Sequence, residues 1–306
     1  MNDFLLHAKV AQIVDVLNTI IGCSSIRTYN DFLVDAYRFP ITDPVDVLKN
    51  IGFAIDESVT ANRDDSILAM TLKMRESLIK LLAEQEANRE QRNRIVKWIV
   101  ADWGGIKSGK LGPDGSDIDS SLIAAIDKAE ENSRQGKDEF DFNRIASWSK
   151  FLAFKSPEKY AIYDARVIYS LNWLLYQCDA NKYLPMPAGQ NSVMGLLDYE
   201  VFLFFKSGVA GDVLAALQSD IGKRRGKDNA KSSFVRNLKK GEDGPFIDNK
   251  AAYSQYCRLL EEMARLIFGA ADTQRLTKAE MLLFSIADAE IAKSVLKYLS
   301  ELIPNR

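Results

Sequence analysis

Apolar residues recur at helical spacing along almost the whole chain, while alternating apolar and polar residues are nearly absent. A period near 3.6 puts an apolar stripe on one side of a helix, and such a stripe must be hidden against other helices. Leu5, Val10, Ile13, Val14, Leu17 and Ile21 form one such face over 4–21, and Gly22 is a stop signal. Ile67, Met70, Met74, Leu78, Leu81 and Leu82 form another over 64–86. A polar, then apolar helix continues over 87–103, with Arg89, Arg92 and Arg94 on its surface, and Gly104-Gly105 ends it. Further helices are expected at 30–38, from Asp43-Pro44, and over 120–132, 194–206, 211–219, 251–268 and 278–302. Residues 52–62 carry no such pattern and read as a strand or a connection. No repeat of solenoid length is present. The expected fold class is all-α.

Residues 141–175 carry the most informative chemistry of the chain. Ile145, Trp148 and Leu152 lie on one helical face, with Asp141 or Asn143 as its cap. Ser156-Pro157 ends that helix, because a proline disfavours helical geometry in the residue before it. After Tyr160-Ala161-Ile162-Tyr163, Asp164 opens a second helix, with Val167, Leu171, Leu174 and Leu175 inward. The free amides and the positive dipole end of that helix then face the Asp164 carboxylate.

Ala161-Ile162-Tyr163-Asp164-Ala165-Arg166-Val167 resembles the Val-Asp-x-x-Val pattern of the helix-hairpin-helix DNA glycosylases, the endonuclease III and 8-oxoguanine glycosylase superfamily. Ser149-Lys150-Phe151-Leu152 is similar to the Ser-Lys-x-Leu run of some of its members. The resemblance implies two helical lobes with a cleft between them. One lobe would span 60–155, and the other would combine 1–59 with 156–306. It implies Asp164 as the essential carboxylate. It also implies double-stranded DNA as the partner and a damaged purine as the target, in repair, while the divergent hairpin region suggests a hypermodified base of foreign DNA, in phage defence, as the other target. The sequence departs from the family at Phe140-Asp141-Phe142-Asn143-Arg144, where a glycine-rich hairpin is expected. Ala146 and Ser147 stand where bifunctional members carry a lysine nucleophile, and no four-cysteine cluster site is present. Lys150, one helical turn further on, is the second catalytic candidate. The reading that follows is a monofunctional enzyme, which excises a base without cutting the strand.

The chemistry suits Asp164. Breaking an N-glycosidic bond builds positive charge on the sugar, and a carboxylate beside C1′ stabilises it and orients water. Equally, aspartate is a favoured helix cap with no further role in many proteins. His7 is the only histidine, which removes Ser-His-Asp and Cys-His machinery, histidine metal clusters and the histidine-containing zinc deaminase site. Cys23, Cys178 and Cys257 are widely spaced, as in a reducing cytoplasm, and no metal or cofactor is expected. The first residues lack the basic and apolar regions of a signal peptide, and the apolar runs 14–21 and 201–205 are too short to span a membrane.

With 306 residues, 47% of them hydrophobic, the chain can bury a large core. Its net charge of −2 means that any nucleic-acid site must come from local clustering. Lys223, Arg224, Arg225 and Lys227 open such a cluster, which extends to Lys240 with Asp228 as its single acid. It suits a phosphate backbone, and equally a solvated loop. Gly104 to Leu111 nearly fits a phosphate loop, but Leu111 lacks the hydroxyl for magnesium and a helix precedes the loop, so no nucleotide cofactor is expected. Lys107 and Lys110 remain DNA-phosphate candidates, together with Lys155 and Arg166. Asp114, Asp117 and Asp119 lack the glycine and terminal glutamate of a calcium loop. Trp103, Tyr163 and Trp148 are candidates for a base pocket, although Trp148 and Trp173 also follow core spacing. The alternative function is a non-catalytic helical DNA-binding module or a subunit of a defence complex, and a purely structural interaction protein is a further rival. The sequence leaves oligomeric state open and favours a monomer.

Overall fold

The computed structural model describes residues 9–37, 66–84, 88–106, 120–187 and 246–302. Among them the structure is helical, with one isolated parallel bridge between Tyr183 and Phe246. The all-α expectation therefore holds for the described residues. No helix there is long and apolar enough to cross a membrane. The helices expected at 194–206 and 211–219, the short helix from Asp43-Pro44 and the segment 52–62 lie outside them.

Helix α1 (Val10–Ile21) buries Val10, Ile13, Val14 and Leu17 and stops at Gly22, whose φ of 71° suits a residue without Cβ. Helix α2 (Ile26–Ala36) starts four residues before the expected position of 30. Ser25 and Thr28 form a reciprocal capping box there. Threonine takes the place that glutamate or glutamine usually holds, so the usual sequence signature is missing. Helix α3 (Ile67–Glu84) is followed by α4 (Arg89–Lys97), which Asn88 caps. A wider π turn, Trp98–Trp103, continues α4 to Gly104 and Gly105.

Next come α5 (Ser120–Arg134), α6 (Ile145–Lys155) and α7 (Ala165–Gln177). The chain closes with α8 (Asn249–Phe268), α9 (Arg275–Ile286), a π turn over Ala287–Ile291, and α10 (Ala292–Leu302). Helix α7 is buried continuously from Val167 to Tyr176, as a helix inside a bundle must be. Helices α1 and α9 pack against it. Its internal polar groups find partners: Ser170 donates to Leu283 O at 2.7 Å. Asn172 donates to Leu184 O at 2.8 Å and accepts from Leu184 N at 2.9 Å. One apolar core joins helices from the 60–155 segment to those outside it.

An aromatic cluster fills the space between α6, α8 and the loop before α7. Phe140 stacks on Trp148 at 5.5 Å, and Tyr253 meets Trp148 edge-on at 4.6 Å. The Trp148 indole donates to Asp141 O and Asn143 O, which ties the start of α6 to the core.

The start of α6 differs from expectation. Neither Asp141 nor Asn143 caps it; Asp141 instead accepts from Asn143 N at 2.9 Å. Arg144 holds the N-cap position with no side-chain cap, at φ 57° and ψ 25°. This is the left-handed turn for which glycine is normally selected. The segment without glycines thus keeps a glycine-type turn on an arginine backbone. Arg144→Val should lower stability by about 1 kcal/mol or more relative to Arg144→Gly, because a β-branched residue is most strained there. Both variants lose the same guanidinium, so the difference between their urea midpoints reads the backbone. Equal midpoints would remove the strain argument.

Candidate active site

The loop between α6 and α7 is buried, and side chains from three helices bind its backbone. The Ile162 amide donates to Glu280 Oε2 of α9 at 3.0 Å, and the Tyr163 amide donates to Ser149 Oγ of α6 at 3.0 Å. From α8, the Tyr253 hydroxyl donates to Ala161 O at 3.1 Å and the Tyr256 hydroxyl to Ile162 O at 2.7 Å. Burial raises the pKa values of Tyr163, Tyr253 and Tyr256 well above their ordinary range, which keeps these hydroxyls protonated as donors. Burial likewise pushes the Cys257 thiol beside them up to about 12, so it is no ready nucleophile.

The loop delivers Asp164 to the start of α7. Its carboxylate accepts from the Arg166 amide at 2.9 Å, as an N-cap should. The other oxygen, Oδ2, lies 3.7 Å from Lys150 Nζ. Lys150 is buried on α6 and also donates to Ala146 O at 3.1 Å. The Asp164 side chain remains 26% exposed, so the carboxylate can still meet a ligand. Gly104 makes room for this pair: a Cβ there would lie 2.8 Å from Lys150 Cδ and 2.7 Å from Val100 O. The glycine is required by close approach, since its backbone is right-handed.

Asp164 stands in the walls of two cavities, of about 1110 and 760 Å³. The first is bounded by Lys128, Asn132, Phe142, Arg144, Ser147 and Lys250. Arg75, Trp103, Lys150, Arg166, Glu280 and Phe284 bound the second. Both are walled by residues of the 60–155 segment and by residues outside it.

The expected site residues separate into groups. Asp164 and Lys150 come together, and Trp103 and Arg166 join them in the wall of the second cavity. Arg166 is held by Asp288 at 3.5 Å and lies over the Phe284 ring at 4.8 Å. Tyr163 and Trp148 do not fit the expectation of a base pocket. They are buried in the aromatic core, and the Tyr163 hydroxyl donates to Pro185 O at 2.7 Å. Lys155 pairs with Glu130 at 2.7 Å. Lys107, Lys110, Lys223, Arg224, Arg225 and Lys227, as well as Asp114, Asp117 and Asp119, lie outside the described residues. Among the described residues, no cluster of three or more potential metal ligands occurs.

Sequence reasoning missed Arg75 and Glu280, which form an ion pair at 3.1 Å with side chains 4% and 6% exposed. A signal was present. Thr71, Arg75, Leu78 and Leu82 share one stripe of α3, and Leu276, Glu280 and Leu283 share one of α9. A charge inside an apolar stripe is either an error of assignment or one half of a buried pair. Here the halves have opposite sign and sit on helices 205 residues apart in sequence.

The arrangement offers a partly exposed carboxylate, an adjoining ammonium group and a rigid loop beneath them. Such a pair can stabilise a developing cation and hold a water for attack. Glu280→Ala should cost about 3–5 kcal/mol of stability, because it leaves the Arg75 charge buried and unpaired. Asp164→Ala should cost less, about 1–2 kcal/mol: it removes a helix cap and the part-exposed counterion of buried Lys150, which keeps its bond to Ala146 O, whereas Asp164→Asn keeps the cap and loses only the counterion. Guanidinium unfolding of the three variants checks this order. Equal losses would show that the buried pair does not carry the loop.

Compared with known proteins, this chain has no match among family models, curated proteins or solved structures.

Proposed function

We propose that the protein is a monofunctional DNA glycosylase of the helix-hairpin-helix kind, which flips a modified base out of duplex DNA and hydrolyses its glycosidic bond. One observation carries this reading: Asp164 caps a buried helix, sits beside Lys150, and opens onto two cavities. The left-handed turn at Arg144 supports it, since a glycine-type turn persists before α6 without the glycine. The cavities walled from both segments support a cleft between two lobes.

In the proposed reaction, the C1′–N bond breaks and its electron pair leaves with the base. The Asp164 carboxylate stabilises the cationic sugar. A water oxygen then bonds to C1′, Asp164 accepts the proton released, and the departing base takes one from solvent. Lys150 positions the carboxylate. Extrusion costs a few kcal/mol, and contacts to phosphates from the basic stretch 223–240 offset it. The setting proposed is a monomer in the cytoplasm, and the wide spacing of Cys23, Cys178 and Cys257 suits a reducing compartment. The target is a damaged purine in repair, or a hypermodified base in defence.

A second reading has one observation in its favour. Lys150 Nζ lies 3.7 Å from the Asp164 carboxylate, so the amine adjoins the group proposed to face C1′ and is a candidate nucleophile. Borohydride trapping separates the two: a covalent protein–DNA adduct at Lys150 supports the amine, and its absence supports water.

Incubation with genomic DNAs carrying different modifications should produce abasic sites without strand breaks until alkali is added. Asp164→Asn should abolish excision and leave DNA binding largely intact, because the amide still caps α7 but does not stabilise a cation. Wild-type turnover in this variant would overturn the mechanism. Salt-dependent DNA binding without any abasic product would leave a DNA-binding module, and no DNA binding would leave an interaction protein.

Neutral residues at Lys223, Arg224, Arg225 and Lys227 should weaken binding on all sequences alike, since phosphates carry no sequence information. Each lost contact should reduce the slope of log affinity against log salt by about 0.9 on duplex DNA. A salt titration of wild type and the quadruple variant measures this. An unchanged slope would identify the stretch as a solvated loop.

A further inference from the structure

The second cavity contains a feature that base excision by Asp164 does not use. Arg75 is a buried guanidinium in its wall. Its Nη2 donates to Glu280 Oε1 at 3.1 Å, but neither Nε nor Nη1 has a hydrogen-bond partner among the described residues. Leaving a buried charged donor unsatisfied costs free energy, and an orphan of this kind calls for an explanation by a ligand or by function. The guanidinium is also fixed in place. Its carbon lies 4.9 Å from the Phe154 ring centre and 5.5 Å from that of Trp103.

We infer that this cavity is a ring-binding site in which Arg75 donates to a carbonyl oxygen of a neutral, planar heteroaromatic ligand. The inference rests on the proposed glycosylase reading, in which that ligand is the extruded base. Three observations set the chemistry of the ligand. The cavity, at about 760 Å³, is within the usual range for small-molecule sites. Trp103 and Phe284 supply aromatic wall. The charges around it balance, with Arg75, Lys150 and Arg166 against Asp164, Glu280 and Asp288, so the cavity is not built to attract a free anion. Among the buried polar atoms of the described wall, the Arg75 donors are left without an acceptor. A ring with an exocyclic carbonyl supplies the missing acceptor. Guanine and thymine carry such carbonyls, whereas adenine presents an amino group in the corresponding place. Recognition by Arg75 therefore selects carbonyl-bearing bases against adenine.

The test is a tryptophan-fluorescence and calorimetric titration of the full chain with guanosine, thymidine, adenosine and inorganic phosphate, alongside an assay for abasic sites. Guanosine or thymidine should bind at least about tenfold more tightly than adenosine, the discrimination expected of one hydrogen bond to a charged donor. Phosphate should not compete. Arg75→Lys keeps a positive charge opposite Glu280 but loses the guanidinium donors, and it should erase the preference. Phe284→Ala should weaken all nucleosides together and leave the preference in place, which covers the case in which the Arg75 variant does not fold. Equal binding of adenosine, a preference that survives Arg75→Lys, or tighter binding of phosphate would each overturn the inference. The two readings fail separately. Ring preference without abasic sites on any DNA would keep the pocket and remove the glycosylase. Excision without carbonyl preference would do the reverse.

Discussion

The ion pair between Arg75 and Glu280 holds the candidate site together. Both side chains are almost wholly withdrawn from water, and Glu280 spends its second oxygen on the Ile162 amide. A buried pair of this kind gains little net stability over a well-packed apolar replacement, because two charges must be desolvated. Its consequence here is geometric. It joins α3 to α9 and fixes the loop two residues before Asp164. The hydroxyls of Tyr253 and Tyr256 bind the carbonyls of the same loop from α8, and burial keeps them protonated. The loop lacks regular structure, yet its buried backbone groups are met by side chains.

A loop held this firmly makes a short polar side chain precise. Asp164 needs no rotamer search, because its own helix fixes one oxygen and Lys150 approaches the other. The approach depends on two unrelated accommodations. Gly104 leaves space for the stem of Lys150, and the π turn over Trp98–Trp103 carries Gly104 to that place. Packing therefore arranges a charged pair that neither helix would place by itself. Preorganisation of this type is what electrostatic stabilisation of a cation requires.

The two cavities differ in character although Asp164 is common to them. The first lies over the turn into α6, with Lys128, Lys250 and Arg144 on its margin beside Glu139 and Asp141, and Lys128 pairs with Asp141 at 3.1 Å. The second is walled by Trp103 and Phe284 and by charges of both signs in equal number. Charges of both signs line both cavities, and what sets the second apart is the buried Arg75–Glu280 pair in its wall.

Helix periodicity alone determined the all-α class, and stop signals such as Gly22 and Gly104-Gly105 determined several helix ends. Asp164 was legible because a cap is a local device: the aspartate and the amide it binds are two residues apart. The helix-turn before α6 was not legible, because arginine carries no sign that it will adopt a left-handed conformation. The start of α2 was missed because its capping box uses Thr28. Trp148 lies in the core, as its helical spacing indicated, and Tyr163 joins it there instead of lining a base pocket. An aromatic residue at a helix end has the same sequence appearance whether it faces a cavity or the core, and only the packing of α8 against that loop buries these two. Tertiary structure also decided the partners of Lys150, Arg75 and Glu280. Lys150 meets Asp164 across a loop, and Arg75 meets Glu280 across 205 residues of chain. The sequence displayed each of these charges, but a charge finds its counterion only after the helices have been brought together by the apolar stripes that surround it.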